Sequence, residues 1–76
     1  MNRVQAAIKA LPKGQELRRK EDGAMVTVLG AGISKIAELA GAGVPRLNLS
    51  EENGHIYSMN LVNWAVYYEK LNPHKH

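Results

Sequence analysis

The apolar residues of this chain are small. Nine of the 34 are alanine, phenylalanine and cysteine are absent, and Trp64 with three tyrosines supplies every large ring. A core made from them is thin and aliphatic, and a chain of 76 residues has room for one such core. Cores of this size contribute only about 3–5 kcal/mol, so small domains commonly lean on a disulfide, a metal, a partner or a nucleic acid. The absence of cysteine excludes a disulfide framework, a thiolate zinc site and a thiol nucleophile.

Charge is segregated along the chain. The net charge is +3, but residues 1–20 hold Arg3, Lys9, Lys13, Arg18, Arg19 and Lys20 against Glu16 alone. Residues 21–76 hold Lys35, Arg46, Lys70 and Lys75 against six carboxylates. The sequence therefore divides into a basic N-terminal helix or arm (1–21), a mildly acidic body (22–72) and a tail (73–76). A polyanion is expected to meet the arm first. No run of 18 apolar residues is present, so no membrane span is expected. The N-terminus lacks the apolar stretch of a secretory signal, which makes a cytoplasmic location the expectation. His74 and His76 lie on the tail with no fixed geometry, and no metal or cofactor is expected.

Val4, Ile8 and Leu11 fall at i, i+4 and i+7, the stripe of a helix that Pro12 ends. Lys13 to Lys20 reads equally as a short helix or a loop. Gly23–Leu29 is ambiguous: Val26-Thr27-Val28 favours a strand, whereas Asp22 is a good N-cap for a short helix. Ile33, Ile36, Ala37 and Ala40 predict a helix stopped by Gly41-Ala42-Gly43. Leu47 and Leu49 alternate with polar residues up to Asn53-Gly54, and His55-Ile56-Tyr57 returns as the second strand of a hairpin. Ser58 then caps a helix from Met59 to about Leu71, apolar around most of its circumference and ended by Asn72-Pro73.

The segment Val26 to Lys35 contains Gly30-Ala31-Gly32, which resembles the phosphate-binding turn of a dinucleotide-binding unit. Its third glycine is replaced by Lys35, and the chain is too short for the second half of that sheet. A resemblance covering about 45 residues runs from Leu29-Gly30-Ala31-Gly32-Ile33-Ser34-Lys35-Ile36 through Gly43-Val44-Pro45-Arg46-Leu47, and resumes from Gly54-His55-Ile56-Tyr57 to Trp64. These residues resemble the winged helix-turn-helix DNA-binding domain of phage small terminase subunits and the related excisionase and MerR-like domains. The resemblance implies a small single α+β domain, helices plus a short β-hairpin wing, with Gly23–Leu29 as first helix and Ile33–Ala40 as recognition helix. It also implies a phage or prophage origin and a double-stranded DNA partner. Ser34 and Lys35 would then meet the major groove, and Arg18, Arg19, Lys20 and Arg46 the phosphates. Trp64 and Tyr57 would anchor the core under the wing.

Proteins of this class act as homo-oligomers or in larger nucleoprotein assemblies, because one short recognition helix reads little sequence. No catalytic activity is expected, since His55 shares a turn with Glu51 and Glu52 but no nucleophile accompanies them. The alternative expectation is a protein-interaction module, for self-association or for inhibition of a host protein, that uses the apolar C-terminal helix.

Overall fold

The computed structural model describes residues 3–32 and 44–71. Helix α1 spans Arg3–Ala10, and five strands follow: β1 Glu16–Arg19, β2 Met25–Gly32, β3 Arg46–Glu51, β4 Ile56–Asn60 and β5 Tyr68–Lys70. Between β4 and β5 lie a 3-10 turn, Leu61–Asn63, and a one-turn helix α2, Trp64–Tyr67. All neighbouring strands are antiparallel, in the order β4-β3-β2-β1-β5. The first four strands form a meander, and the chain then crosses through the 3-10 turn and α2 to bring β5 beside β1.

The winged helix-turn-helix expectation is overturned by this sheet. Gly23–Leu29, read as the first helix of the motif, lies mostly in strand β2. The β-branched run wins: Val26 and Val28 are buried on one face, while Thr27 is half-buried and Leu29 exposed on the other. Asp22 caps no helix; its Oδ1 accepts the Ala24 N–H at 3.0 Å inside the β1–β2 turn. Gly30, Ala31 and Gly32 continue β2 and pair with Asn48, Leu47 and Arg46, so they form no phosphate-binding turn. The expected recognition helix, Ile33–Ala40 with Ser34 and Lys35, lies outside the described residues.

The helix expected over Met59–Leu71 is also replaced. Met59 and Asn60 finish β4, and the Asn60 side chain accepts the Val62 N–H at 3.1 Å, starting the 3-10 turn. The segment becomes extended again at Tyr68, because β1 needs a partner on its second side: Leu17, Arg18 and Arg19 pair with Lys70, Glu69 and Tyr68. The apolar residues that seemed to circle one helix are thereby sorted. Leu61 and Tyr68 go inside, and Val62, Val66 and Tyr67 stay out.

The N-terminal helix and the hairpin agree with expectation. α1 ends before Pro12, although Ala7 is its buried position, Leu11 is buried just beyond its end and Ile8 is 39% exposed. Segment 1–21 supplies this helix and strand β1. The β3–β4 turn closes with the Gly54 N–H on the Glu51 carbonyl at 2.9 Å, and Gly54 takes φ +91, open to glycine at no steric cost. Gly23 does the same for the β1–β2 turn at φ +74.

The inner face of the sheet carries the core. Leu17, Val28, Leu47 and Leu49 are fully buried there with Val26, and Leu11 of the α1 exit and Leu61 of the 3-10 turn join them. Register slips by one between Val28 and Gly30, leaving Leu29 as the extra residue of a bulge. The bulge turns Ala31 inward opposite Leu47 and bends the strand. Because Leu49 sits at the centre of this small core, Leu49→Ala is expected to cost about 2–5 kcal/mol. Leu29→Ala, on the bulge, should cost well under half of that; urea unfolding of the two variants checks the difference.

Candidate functional site

Along the inner face of the sheet, aliphatic residues give way to a polar knot. Side chains alternate across a strand, so Arg19 shares the inward face of β1 with Leu17. It lies directly opposite Tyr68 of β5. Its guanidinium fork meets Asp22 twice, Nε to Oδ1 at 3.0 Å and Nη2 to Oδ2 at 2.8 Å. Nη1 donates to Glu51 Oε2 at 2.7 Å and to the Tyr57 hydroxyl at 3.1 Å. Tyr57 and Tyr68 share a further hydroxyl–hydroxyl hydrogen bond. One side chain thus ties β1 and its turn to β3 and β4, and through Tyr57 to β5.

Electrostatics follow from that geometry. The Asp22 and then Glu51 carboxylates push Arg19 further up from its already high value. The Arg19 guanidinium, helped by the Ala24 N–H, holds Asp22 down at about 2. Burial, reinforced by Tyr57, raises Tyr68 to about 12. Asp22 and Glu51 are both committed to a cation and Tyr68 stays neutral, so this cluster is not a general-base site. Among the described residues no group of three His, Cys, Asp or Glu side chains is placed to hold a metal.

The other basic residues singled out in the sequence are also engaged. Arg18 points to the outer face and pairs with Glu69 across β1–β5 at 3.1 Å, both side chains half exposed. Lys20 Nζ donates to the Ala65 carbonyl at 3.0 Å, fastening α2 to the β1–β2 turn. Arg46 opens β3 on the exposed side, where its Nη2 donates to Ser58 Oγ at 3.1 Å. Arg18, Arg19 and Lys20 are therefore brought to three different surroundings, and Arg46 stands apart from them. Ser34 and Lys35 lie outside the described residues.

Two depressions flank the 3-10 turn and α2. A cleft of about 510 Å³ is lined by Arg19, Lys20 and Glu21 on one side and by Met59, Asn60, Asn63, Val66, Tyr67 and Tyr68 on the other. A groove of about 440 Å³ runs between α1 and the same segment, lined by Arg3, Ala6, Ala7, Ala10, Val62, Asn63, Trp64 and Val66. Asn63 and Val66 face both, so Leu61–Tyr67 forms a ridge between them. On this ridge Val62 is 40% exposed, Val66 64% and Tyr67 55%. The cleft has the size of a small-ligand site, and its lining mixes apolar side chains and amides with the Lys20 ammonium, the Glu21 carboxylate and the Tyr67 hydroxyl.

Sequence reasoning missed Asp22, Glu51 and Tyr68 as partners of Arg19. The available signal was local: Glu16-Leu17-Arg18-Arg19 becomes an alternating strand once Leu17 is taken as a core residue, and Arg19 then shares its face.

The knot predicts pH limits at both ends. Asp22 titrates lower in the fold than its ordinary 3.8, so its contribution is complete above that pH and is lost as pH falls toward about 2. Tyr68 titrates higher in the fold than its ordinary 10, so its contribution is complete below pH 10 and is lost as pH rises toward about 12. Urea midpoints measured across pH should show both declines, with Asp22→Asn flattening the acid limb and Tyr68→Phe the alkaline one.

No family model, no curated protein and no solved structure matches this chain, so the reading of the ridge and its two depressions rests on their own side chains.

Proposed function

We propose that this domain is a protein-binding module that seats the apolar side chains of a partner on the Leu61–Tyr67 ridge and in the depressions beside it. The observation that carries this reading is the exposure of Val62, Val66 and Tyr67 within six residues, in a chain short of large apolar side chains. Singly exposed apolar residues are ordinary, but three on one short segment, with Val66 bordering both hollows, form a knob-and-pocket surface. The part of each side chain still in water is the apolar area that a partner would remove from it. The rim carries Lys20 and Glu21 on one side and Arg3 on the other, a mixed polar border typical of protein interfaces.

The double-stranded DNA partner is the second reading, now carried by charge alone. Arg3 and Lys9 on α1, Lys13 in the following turn and Arg46 at the start of β3 are exposed cations. Contacts of this kind bind phosphates without reading sequence.

A peptide-display library selected on the full chain tests the first reading. It is expected to enrich sequences with apolar or aromatic anchors, whose affinity falls about tenfold or more with Val66→Asp or Tyr67→Asp, the loss expected of an interface anchor worth at least about 1.4 kcal/mol. Both variants should keep the wild-type melting temperature, because these side chains are mostly in water. An absence of enriched peptides, or affinities unchanged by both substitutions, rejects the proposal. For the second reading, anisotropy of a labelled duplex at low salt should fall with Lys9→Ala and Lys13→Ala together, and steeply with added salt.

A further inference from the structure

β4 is one edge of the sheet, and among the described residues nothing pairs with its outer side. Exposed edges in natural proteins are usually blunted by lysine, proline, a bulge or shortness, because a bare edge templates another strand. β4 has none of these. It reads Ile56-Tyr57-Ser58-Met59-Asn60, without charge or proline, and its register with β3 is unbroken. The opposite edge, β5, is three residues long and carries Glu69 and Lys70.

The phase of the β3–β4 ladder determines which groups the edge offers. The Glu51 N–H donates to the His55 carbonyl at 2.8 Å, and the Leu61 N–H to the Pro45 carbonyl at 3.0 Å. Both bonds lie on the register that pairs Leu49 with Tyr57 and Leu47 with Met59. Bonded and non-bonded pairs alternate in an antiparallel ladder. Tyr57 and Met59 therefore exchange bonds with β3, and the main-chain groups of Ile56 and Ser58 point away from it.

We propose that the occupant of this edge is a second copy of the chain, paired β4 to β4 antiparallel about a two-fold axis at Ser58, so that two sheets become one. Three observations favour this occupant. Ser58 is an outward-pointing position, so a two-fold there matches each N–H with a carbonyl of the other copy. The strand is uncharged, so the symmetry opposes no like charges, which it would do for any charged residue on the axis. The same register sets Tyr57 opposite Met59 of the partner subunit on the inner face, where both side chains are half-buried, giving two aromatic–thioether contacts. Met59 and Asn60 of β4 also line the cleft beside the Leu61–Tyr67 ridge, so the two surfaces adjoin, but the pairing has its own register and its own tests.

Light scattering and sedimentation of the full chain are expected to give twice the 8.4 kDa mass of one copy. The chain has no cysteine, so Ser58→Cys introduces a single thiol on the axis. Opposed residues in a bonded antiparallel pair lie about 5.5 Å apart at Cα, within disulfide range. Mild oxidation should convert Ser58→Cys to a covalent dimer with the wild-type circular dichroism spectrum, and faster than Ile56→Cys, whose opposite residue is Asn60 of the partner subunit. Ser58→Pro, which removes the outward N–H and the exposed hydroxyl bonded by Arg46 but no ladder bond to β3, should be a folded monomer. A wild-type chain that stays monomeric at every concentration overturns the proposal. So does an assembly larger than two, an Ile56→Cys variant that cross-links as fast as Ser58→Cys, or a folded Ser58→Pro variant that remains dimeric.

Discussion

The guanidinium of Arg19 is the constraint on which the rest of the domain depends. The terminal strands of the sheet, β4 and β5, share no backbone pairing in the strand order, yet their inward tyrosines meet hydroxyl to hydroxyl. That contact requires the sheet to curl, and Arg19 holds the curl by bonding Tyr57 on one side and Asp22 and Glu51 on the other. Hydrogen bonds to charged groups are stronger than neutral ones, which matters in a domain with so thin a core. Lysine could not substitute, because a point charge cannot occupy Asp22 through two nitrogens while a third serves Glu51 and Tyr57.

The knot also gives the charge segregation of the sequence a structural meaning. The basic first twenty residues and the acidic remainder look, along the chain, like an arm for a polyanion attached to a separate body. In the fold the two are sewn together. Arg18 meets Glu69, Arg19 meets Asp22 and Glu51, and Lys20 reaches the main chain at Ala65. The Arg18–Glu69 pair is exposed and contributes little to stability, but it sits on the ladder that recruits β5 to β1 and favours that register. These three cations have partners within the fold: a carboxylate of β5, the pair Asp22 and Glu51, and a main-chain carbonyl of α2.

Much of the local structure was legible before any coordinates: α1 with its stop at Pro12, the Leu47/Leu49 alternation and the Asn53-Gly54 turn all rest on interactions within a few residues. The failures share a cause. Gly23–Leu29 has an N-cap signal and a strand signal, and only the pairing of β2 with both β1 and β3 decides between them. Met59–Leu71 is apolar around most of a helical circumference because it is not one helix but a strand end, a turn and another strand. Its extended part exists to satisfy Leu17–Arg19, some fifty residues earlier, and no window of local periodicity contains that information. The candidate site was even less legible, since the ridge appears only after Leu61 and Tyr68 have been taken inward and Val62, Val66 and Tyr67 left behind.

The surface features follow from the same shortage of material. A sheet of five strands has two edges and two faces, and in a chain with one tryptophan and no phenylalanine the described residues cover one face and pair with neither edge. α1 and the 3-10 turn seal one end of the inner face, and the Arg19 knot seals the other with polar groups where more aliphatic side chains would otherwise be needed. Of the large apolar residues left exposed among the described residues, Ile8, Leu29 and Val44 stand apart, while Val62, Val66 and Tyr67 share the ridge and Ile56 lies on the uncharged strand β4. A small domain that spends its large side chains this way gains little stability from them when alone and can recover it by association. The two features differ in what they demand of a partner. A partner on the proposed ridge would need only apolar anchors, whereas a strand on the β4 edge, whose hydrogen-bond phase is set by β3, would have to keep one register, and the strand best matched in charge and phase is its own copy.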